Sequence, residues 1–411
     1  MVQKLILILL VFWCFPTTRA QEISKYSASD FKKDENYGWF NYIQLTGHYG
    51  ENLDSYKIDK IAKDQFYGFG LRLGTQSTGR KNWQKYHQYP QYGLGVSYMR
   101  LGGEAADSIV GSPFSVYFFY GEPIVRFSGF RLNIDTEIGL STGYKPYNVR
   151  SNPDQILIGA KINLHANFSL HLYYKLSDRL DIGTGMTFFH FSNGRIASPQ
   201  SGIEMLGMNF TTAYHFNPLK NYTKNIDPNY QPNIRPTFDR SPKPEFKPNH
   251  EMIFMGSLGT VQMYPYKYRD EYARLDTTGA KGPRYMTNTF LVEYGFRFAR
   301  KIRAVAGVDM FYDGSAENLY EGVPPQNVPF MDKTFYGYHF GIHYLIERVT
   351  FIFNYGRYIY KPFENRGDFW MRAGGRIKIS DHWDINITLK TRNGGVADWI
   401  EWGMAYTIRS Q

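Results

Sequence analysis

The sequence predicts an all-β protein, and more specifically an antiparallel transmembrane β-barrel. Aromatic residues make up 18% of the chain, with 34 Tyr and 31 Phe. Segments of strand length alternate apolar with small or polar residues, and beyond residue 20 no apolar run is long enough to form a transmembrane helix. Tyrosine-rich alternating strands are typical of a barrel wall with aromatic girdles at both membrane interfaces. The alternative for this composition is a soluble β-sandwich.

The N-terminal segment, residues 1–20, has the three parts of a secretory signal peptide. Lys4 gives a positive start, residues 5–15 form an apolar centre that is too short to span a bilayer, and residues 18–20 form a cleavage site. The only cysteine, Cys14, lies inside this segment. We therefore expect an exported chain that carries no disulfide and no cysteine-based metal site after cleavage.

The charge of the chain is moderately basic. Removing residues 1–20 takes away Lys4 and Arg19 but no acidic residue, so the formal net charge falls from +10 to +8. Such an excess is typical either of a generic basic surface or of a surface that attracts the phosphates of lipid headgroups. Nucleic acid is not expected as a partner, because the chain is exported and its basic residues are scattered.

Eight alternating segments precede a proline-rich region. They are, approximately, 38–48, 65–75, 91–101, 113–125, 130–142, 157–175, 179–192 and 203–216. Each is close to or beyond the roughly 9–11 residues that a tilted strand needs to cross a bilayer. Counted from a periplasmic N-terminus, the longer connections fall outside the cell and the short ones at 126–129 and 176–178 fall inside, as expected for such barrels. The inner connection 76–90 is longer than this rule prefers.

Residues 217–250 contain seven prolines among charged residues, and we interpret them as a linker or an extended plug rather than strand. The alternation then resumes in eight further segments. They are, approximately, 251–263, 285–299, 302–313, 334–346, 349–361, 367–378, 382–392 and 397–409. In the fourth of these segments, 334–346, His339 and His343 are expected to face the lumen rather than to bind a metal.

The halves 21–216 and 251–411 resemble each other in short matches, such as 177–182 with 380–385. Aligning Asn193 on Asn393 places Lys390 at the position of His190 and Arg392 at the position of Ser192. The second half is therefore predicted to be a degenerate repeat without the chemistry. About sixteen strands fit either one large barrel or two eight-stranded barrels. We favour one slightly, because membrane barrels usually enlarge by adding hairpins to a single wall.

A candidate active site lies where the seventh and eighth segments meet. Side chains on a strand alternate between two faces, and His190, Ser192 and Glu204 all belong to the even, apolar face. In a simple hairpin Ser192 would lie opposite Glu204. His190 would then lie diagonal to Glu204, at roughly 7–8 Å between backbones.

The three side chains are a base, a hydroxyl and a carboxylate, which are the parts of a serine hydrolase. The apolar face of a membrane barrel contacts lipid, whereas its lumen takes small and polar residues. These groups would therefore face lipid at the rim of the barrel, and a lipid acyl ester is the expected substrate. The alternative is that His190 and Ser192 are polar residues at a strand end, where such groups cost only about 0–1 kcal/mol.

The run 190–193, His-Phe-Ser-Asn, followed by Glu204, resembles the outer-membrane lipid A 3-O-deacylase family, which is PagL-like and often labelled acyloxyacyl hydrolase. That family carries a His-x-Ser-Asn motif on one strand of a small barrel and a catalytic Glu early on the next. The resemblance implies that Ser192 is the nucleophile, His190 the general base and then acid, and Glu204 the group that orients the imidazole.

The resemblance also implies an oxyanion region in the loop after the serine. Asn193 and the Gly194 N–H are the candidate donors. Where the family usually shows Pro-Asn-x-Gly, this chain has Pro-Gln-Ser-Gly at 199–202, so Gln200 offers an amide on a longer arm.

The implied reaction is ester hydrolysis at the outer leaflet of a Gram-negative outer membrane, releasing a hydroxy-fatty acid from the lipid A of lipopolysaccharide. No cofactor or metal is expected for it. Arg195 in the site loop, and Lys145 and Arg150 in the preceding outer loop, are candidates to pair with phosphates of the substrate or of other outer-membrane lipids. The alternatives are a phospholipid acyl hydrolase and a non-catalytic pore or assembly barrel.

Overall fold

The computed structural model describes ten parts of the chain. They are residues 40–53, 65–148, 150–199, 201–216, 235, 238, 242–263, 283–318, 328–362 and 367–410. The predicted signal peptide, most of the proline-rich connection and Gln200 lie outside these ranges. Within them, no helix is both long and apolar enough to cross a membrane.

The first half of the chain forms a closed, antiparallel barrel of eight strands. The strands are β1 (Phe40–Asn52), β2 (Gln65–Gln76), β3 (Gln91–Arg100), β4 (Gly111–Phe127), β5 (Phe130–Tyr144), β6 (Asn163–Lys175), β7 (Leu180–Ser192) and β8 (Ile203–Phe216). Two short helices lie in connections, α1 (Asn82–Tyr86) before β3 and α2 (Glu104–Ile109) before β4. The barrel closes because β8 pairs with β1, with His215 opposite Tyr42.

The second half forms another closed, antiparallel barrel of eight strands. The strands are β9 (Asn249–Gln262), β10 (Arg284–Ala299), β11 (Ile302–Asp313), β12 (Thr334–Ile346), β13 (Val349–Tyr360), β14 (Phe369–Lys378), β15 (Trp383–Arg392) and β16 (Val396–Arg409). Two 3₁₀ turns, Gly314–Asn318 and Phe330–Lys333, lie between β11 and β12. Here β16 pairs with β9 and closes the sheet.

All sixteen predicted strands are present, but the preference for one large barrel was wrong. The edge of β8 is satisfied by β1 and the edge of β16 by β9, so each sheet has all its hydrogen-bonding edges paired within eight strands. An eight-stranded barrel is only wide enough for its own side chains. The wide channel that the pore alternative requires is therefore absent from the described residues.

The strand bounds differ most from the prediction at β6, which begins at Asn163 and not at residue 157. Leu157 and Ile158 are apolar because they pack into a buried cluster at the loop end of the first barrel, not because they belong to a strand. Phe189 and Phe191 of β7, and Ile203 at the start of β8, are in the same cluster. This cluster fixes the strand ends that carry the candidate site.

The exterior of the first barrel is apolar and its interior is polar. Exposed outward side chains include Phe69, Leu140 and Phe210. Inside, Arg72 Nη1 donates to Asp135 Oδ2 at 2.9 Å, and Arg72 Nε donates to Glu137 Oε1 at 3.1 Å. This distribution of polar and apolar side chains is the reverse of that in a soluble barrel. It is the distribution found in membrane-spanning barrels, as the sequence predicted.

A second buried polar network fills the other barrel. His339 bonds to Asp309 Oδ2 at 2.5 Å and to Glu293 Oε2 at 3.0 Å, and Arg372 donates to Asp309 and Glu401. His343 is buried beside the same Glu293, at 3.6 Å. Both histidines therefore face the lumen, as predicted. Across the described ranges, no group of three or more His, Cys, Asp or Glu side chains is arranged to hold a metal ion.

The two barrels contact each other at the end that carries the short turns. Glu122 at the end of β4 accepts bonds from Lys301 Nζ at 2.5 Å and from the Tyr344 hydroxyl at 2.5 Å. His87, after α1, bonds to the same carboxylate at 2.9 Å and to the Leu345 carbonyl at 3.1 Å. A second set of contacts joins the opposite ends, beside the candidate site.

Candidate active site

The end of β7 and the start of β8 place His190, Ser192 and Glu204 on one side of the sheet. Phe189 and Phe191 are fully buried in the barrel, so the intervening even positions project outward. The predicted register was wrong by two residues, because His190 and not Ser192 lies directly opposite Glu204. The parity is unchanged by this shift, since side chains repeat every two residues.

The register brings the imidazole and the carboxylate together. His190 Nδ1 lies 3.7 Å from Glu204 Oε1, and the two side chains are 29% and 27% exposed. A separation of 3.7 Å is an ion-pair contact, longer than a hydrogen bond. The imidazole and the carboxylate therefore need only a small rearrangement to hydrogen-bond.

Ser192 is two residues beyond His190 and only 5% exposed. The Gly194 N–H donates to Ser192 Oγ at 3.2 Å. No hydrogen bond joins Ser192 to His190 among the residues described. Alternate residues of a strand lie about 6.6 Å apart, and catalytic hydrogen bonds are often long before substrate binds.

Gly202 lies against both residues from the far side of the loop. A Cβ built on it would lie 3.4 Å from His190 Cε1 and 3.7 Å from Ser192 Cβ, and its φ is +78°. Its N–H donates to the Leu157 carbonyl at 3.1 Å, which fixes this close approach. The positive φ therefore favours glycine at this position, and a Cβ there would meet both site residues at ordinary contact distances.

Asn193 carries an amide donor beside the serine. Its Oδ1 accepts a bond from the Ala197 N–H at 3.4 Å, which orients the side chain. Its Nδ2 is buried and has no hydrogen-bond partner among the described residues. A buried donor left without a partner is costly, so such a donor is informative next to a candidate nucleophile.

The structure does not place Arg195 where a substrate phosphate could reach it. The side chain is 4% exposed. Its Nη1 lies 3.4 Å from Asp398 Oδ1, and its Nη2 lies 3.2 Å from Met263 Sδ, both in the second barrel. The local sequence could not predict this, because the opposing carboxylate is 203 residues away in the chain. Gln200 lies outside the described residues.

Lys145 and Arg150 are exposed in the connection between β5 and β6, at the same end of the barrel as the site. This connection is tied to itself by the bond from the Tyr147 N–H to the Ile158 carbonyl at 2.9 Å. The neighbouring Leu157 carbonyl accepts the bond from Gly202. Both basic side chains therefore stand on a loop that contacts the candidate site.

The second barrel does not repeat the site. Its seventh strand, β15, has Lys390 buried in the lumen, where Nζ bonds to Asp398 Oδ2 at 2.6 Å. The predicted alignment of Lys390 with His190 was therefore wrong in phase, since His190 projects outward. Outward on β15 the corresponding end of the strand presents Leu389 instead.

Two closed barrels with polar interiors and apolar exteriors define the chain as a protein of the outer-membrane β-barrel class. Two family models match it: "Lipid A 3-O-deacylase (PagL)" over residues 67–213, and "Acyloxyacyl hydrolase, C-terminal domain" over residues 250–410. Together they take in both barrels. The first barrel is thus similar to the lipid A 3-O-deacylase (PagL) family, and the second to the acyloxyacyl hydrolase C-terminal domain.

Among solved structures similar to this chain, some match less than half of it and others match most of it. The outer-membrane enzyme PagL is 16% identical with a TM-score of 0.28, over 41% of this chain and 97% of that one. The Neisserial surface protein A is 9% identical with a TM-score of 0.30, over 43% and 97%. The NanC porin is 6% identical with a TM-score of 0.16, over 90% and 100%. A comparison with curated proteins found no match.

Proposed function

We propose that this protein is an outer-membrane serine esterase that removes an ester-linked, hydroxylated acyl chain from lipid A. The observation that carries the proposal is the contact of His190 with Glu204, two residues before Ser192, on the outward side of a barrel with an apolar exterior. The match of residues 67–213 to the lipid A 3-O-deacylase model supports the same activity. Ser192, His190 and Glu204 act as nucleophile, base and orienting carboxylate.

Acylation begins when Ser192 Oγ attacks the ester carbonyl carbon. His190 takes the hydroxyl proton on Nε2, because Nδ1 is the nitrogen that faces Glu204. Glu204 holds the imidazole in this tautomer and stabilises the positive charge that forms on it. The tetrahedral intermediate then collapses, the sugar oxygen leaves with the proton from His190, and the acyl chain remains on Ser192.

Deacylation reverses these roles. A water molecule attacks the acyl carbon while His190 takes one of its protons, and the second collapse breaks the bond to Ser192 Oγ. The proton returns to Ser192 and the fatty acid leaves. In both steps the negative oxygen needs donors, for which the buried Asn193 Nδ2 and the Gly194 N–H are suitable.

Two features support lipid A as the substrate. The outward surface below the site is apolar, with Leu164 and Leu206 exposed on the neighbouring strands, and would accept an acyl chain without leaving the bilayer. The exposed Lys145 and Arg150 stand above it and offer cationic groups for the phosphates of lipid A. Glycerophospholipids carry the same ester and phosphate chemistry, so the test must separate the two lipids.

The proposal is tested by expressing the protein in a Gram-negative host and recording mass spectra of its lipid A and phospholipids. We expect lipid A to lose the mass of one hydroxyacyl chain while the phospholipids are unchanged. A rise in lysophospholipid with intact lipid A would assign the esterase to phospholipids instead. Unchanged lipids of both kinds, with the barrel folded in the membrane, would refute the esterase.

A further inference from the structure

We propose that the second barrel positions the loop that follows Ser192, with Gln262, Asp398 and Ile400 as positioning residues for the oxyanion donor Asn193. This inference rests on the proposed function and assigns a role in it to the half of the chain that lacks the catalytic groups. The loop, residues 193–198, lies between Ser192 and the second barrel, and contacts there involve both its backbone and its side chains.

Gln262, the last residue of β9, binds the loop like a neighbouring strand. Its N–H donates to the Arg195 carbonyl at 3.0 Å, and its carbonyl accepts a bond from Ser198 Oγ at 2.6 Å. Its side-chain Oε1 accepts a bond from the Ser198 N–H at 3.2 Å. Gln262 is 3% exposed, so these bonds are shielded from water. Three bonds from one residue fix both ends of the segment 195–198.

Asp398 of β16 holds the loop through its charge. One carboxylate oxygen lies 3.4 Å from Arg195 Nη1, and the other accepts the bond from Lys390 Nζ at 2.6 Å. Lys390 is itself held over the Trp399 ring at 4.2 Å. The loop guanidinium is therefore connected to the rigid interior of the second barrel.

Ile400 restricts the position of the loop by direct steric contact with Gly194. A Cβ built on Gly194 would lie 2.4 Å from Ile400 Cγ1 and 3.3 Å from Leu389 Cδ1. The outer wall of the second barrel thus packs directly on the residue whose N–H donates to Ser192. The φ of Gly194 is +59°, a conformation that suits glycine.

These contacts reach Asn193 through the loop's own hydrogen bonds. The Ala197 N–H donates to Asn193 Oδ1 at 3.4 Å, and the Ile196 N–H donates to the Asn193 carbonyl at 3.2 Å. Holding residues 195–198 therefore orients the Asn193 amide and its Nδ2. Docking of the barrels has separate contacts at the opposite end, through Glu122, so the loop contacts can be weakened without separating the barrels.

The test measures lipid A deacylation by the purified full-length chain in detergent micelles. Gln262→Ala removes the side-chain bond to the Ser198 N–H and keeps both backbone bonds. It should lower kcat about three- to tenfold with KM within twofold, because small misplacements of catalytic groups are costly. Tyr344→Phe is the matched control, since it weakens the barrel contact at the other end, and it should keep the parent's kcat. If Gln262→Ala does not fold, Ile400→Ala takes its place, with Ile387→Ala on the neighbouring strand as its control.

A second measurement separates positioning from a general loss of structure. In the Asn193→Ala background, Gln262→Ala should change kcat less than twofold, because the donor it positions is already gone. A full parental kcat in Gln262→Ala and Ile400→Ala, or an equal loss with and without Asn193, would overturn the proposal. A parent that is inactive on both lipid A and phospholipid, or an active Ser192→Ala, would refute the esterase itself and this inference with it.

Discussion

Glu204 lies directly opposite His190 on the neighbouring strand, and its Oε1 is 3.7 Å from His190 Nδ1. Both side chains are partly exposed on the outward side of the first barrel, while their neighbours along each strand are buried inside it, namely Phe189, Phe191, Ile203 and Met205. The pairing follows from the register of β7 on β8 alone. It leaves the second imidazole nitrogen available for Ser192.

Glu204→Gln should lower kcat for lipid A about 10- to 100-fold, because a neutral amide stabilises the imidazolium less than a carboxylate does. The loss is expected to be smaller than for a fully buried triad carboxylate, since Glu204 is 27% exposed to solvent. Initial rates of fatty-acid release measure it. Glu347→Gln, an exposed acid in a turn of the second barrel, is the control. Equal rates for the two variants would remove Glu204 from the mechanism.

Asn193→Ala should lower kcat about 10²- to 10³-fold with little change in KM, as expected when one oxyanion donor is lost. The physical reason is that the buried Nδ2 has no other hydrogen-bond partner among the described residues. Steady-state kinetics on lipid A micelles give both constants. A change confined to KM would show that the amide binds substrate in the ground state and does not act on the transition state.

Gly202→Ala should destabilise the protein by about 1–2 kcal/mol, since a left-handed backbone is unfavourable for alanine. It should also lower the rate, because the new Cβ would lie 3.1 Å from the Phe191 carbonyl oxygen and 3.4 Å from His190. Gly47→Ala is the matched control, because a Cβ there meets nothing within 4 Å. Urea unfolding and deacylation rates measure the two effects. Indistinguishable alanine variants would contradict the close packing over the site.

Glu137→Ala should reduce the free energy of unfolding by about 3 kcal/mol or more, because it leaves buried charged partners without their carboxylate. Glu137 accepts bonds from Arg72 at 3.1 Å and from His165 at 2.9 Å inside the first barrel. Urea unfolding of the folded barrel in lipid or detergent measures the change. Glu104→Gln, exposed at the start of α2, should stay within about 0.5 kcal/mol. A similar loss of unfolding free energy in both variants would mean that the polar network inside the first barrel contributes little to stability.

The alternation of side chains predicted all sixteen strands, because the period of two is imposed by the apolar exterior along every strand. It also predicted that His190, Ser192 and Glu204 share a face. It did not predict the register of these two strands. His190 lies opposite Glu204 because Phe191 pairs with Ile203, and the length of the loop between the strands does not by itself set this pairing.

Closure into two barrels was not predictable from the same pattern. Whether β8 pairs with β1 or with β9 depends on long-range contacts, and the alternation of each strand is compatible with both. The contact of Arg195 with Asp398 was not predictable for the same reason, because Asp398 belongs to a distant strand. Where the chemistry is local, as in 190–193, the sequence carried the information.

The measurement that tests the account most directly is the lipid A mass spectrum of a Gram-negative host that makes either the parent protein or Ser192→Ala. Both proteins should fold, as judged by their shifted mobility before heating. We predict that the parent removes the mass of one hydroxyacyl chain from lipid A and that Ser192→Ala leaves lipid A intact. A folded Ser192→Ala that deacylates lipid A as well as the parent would contradict the account.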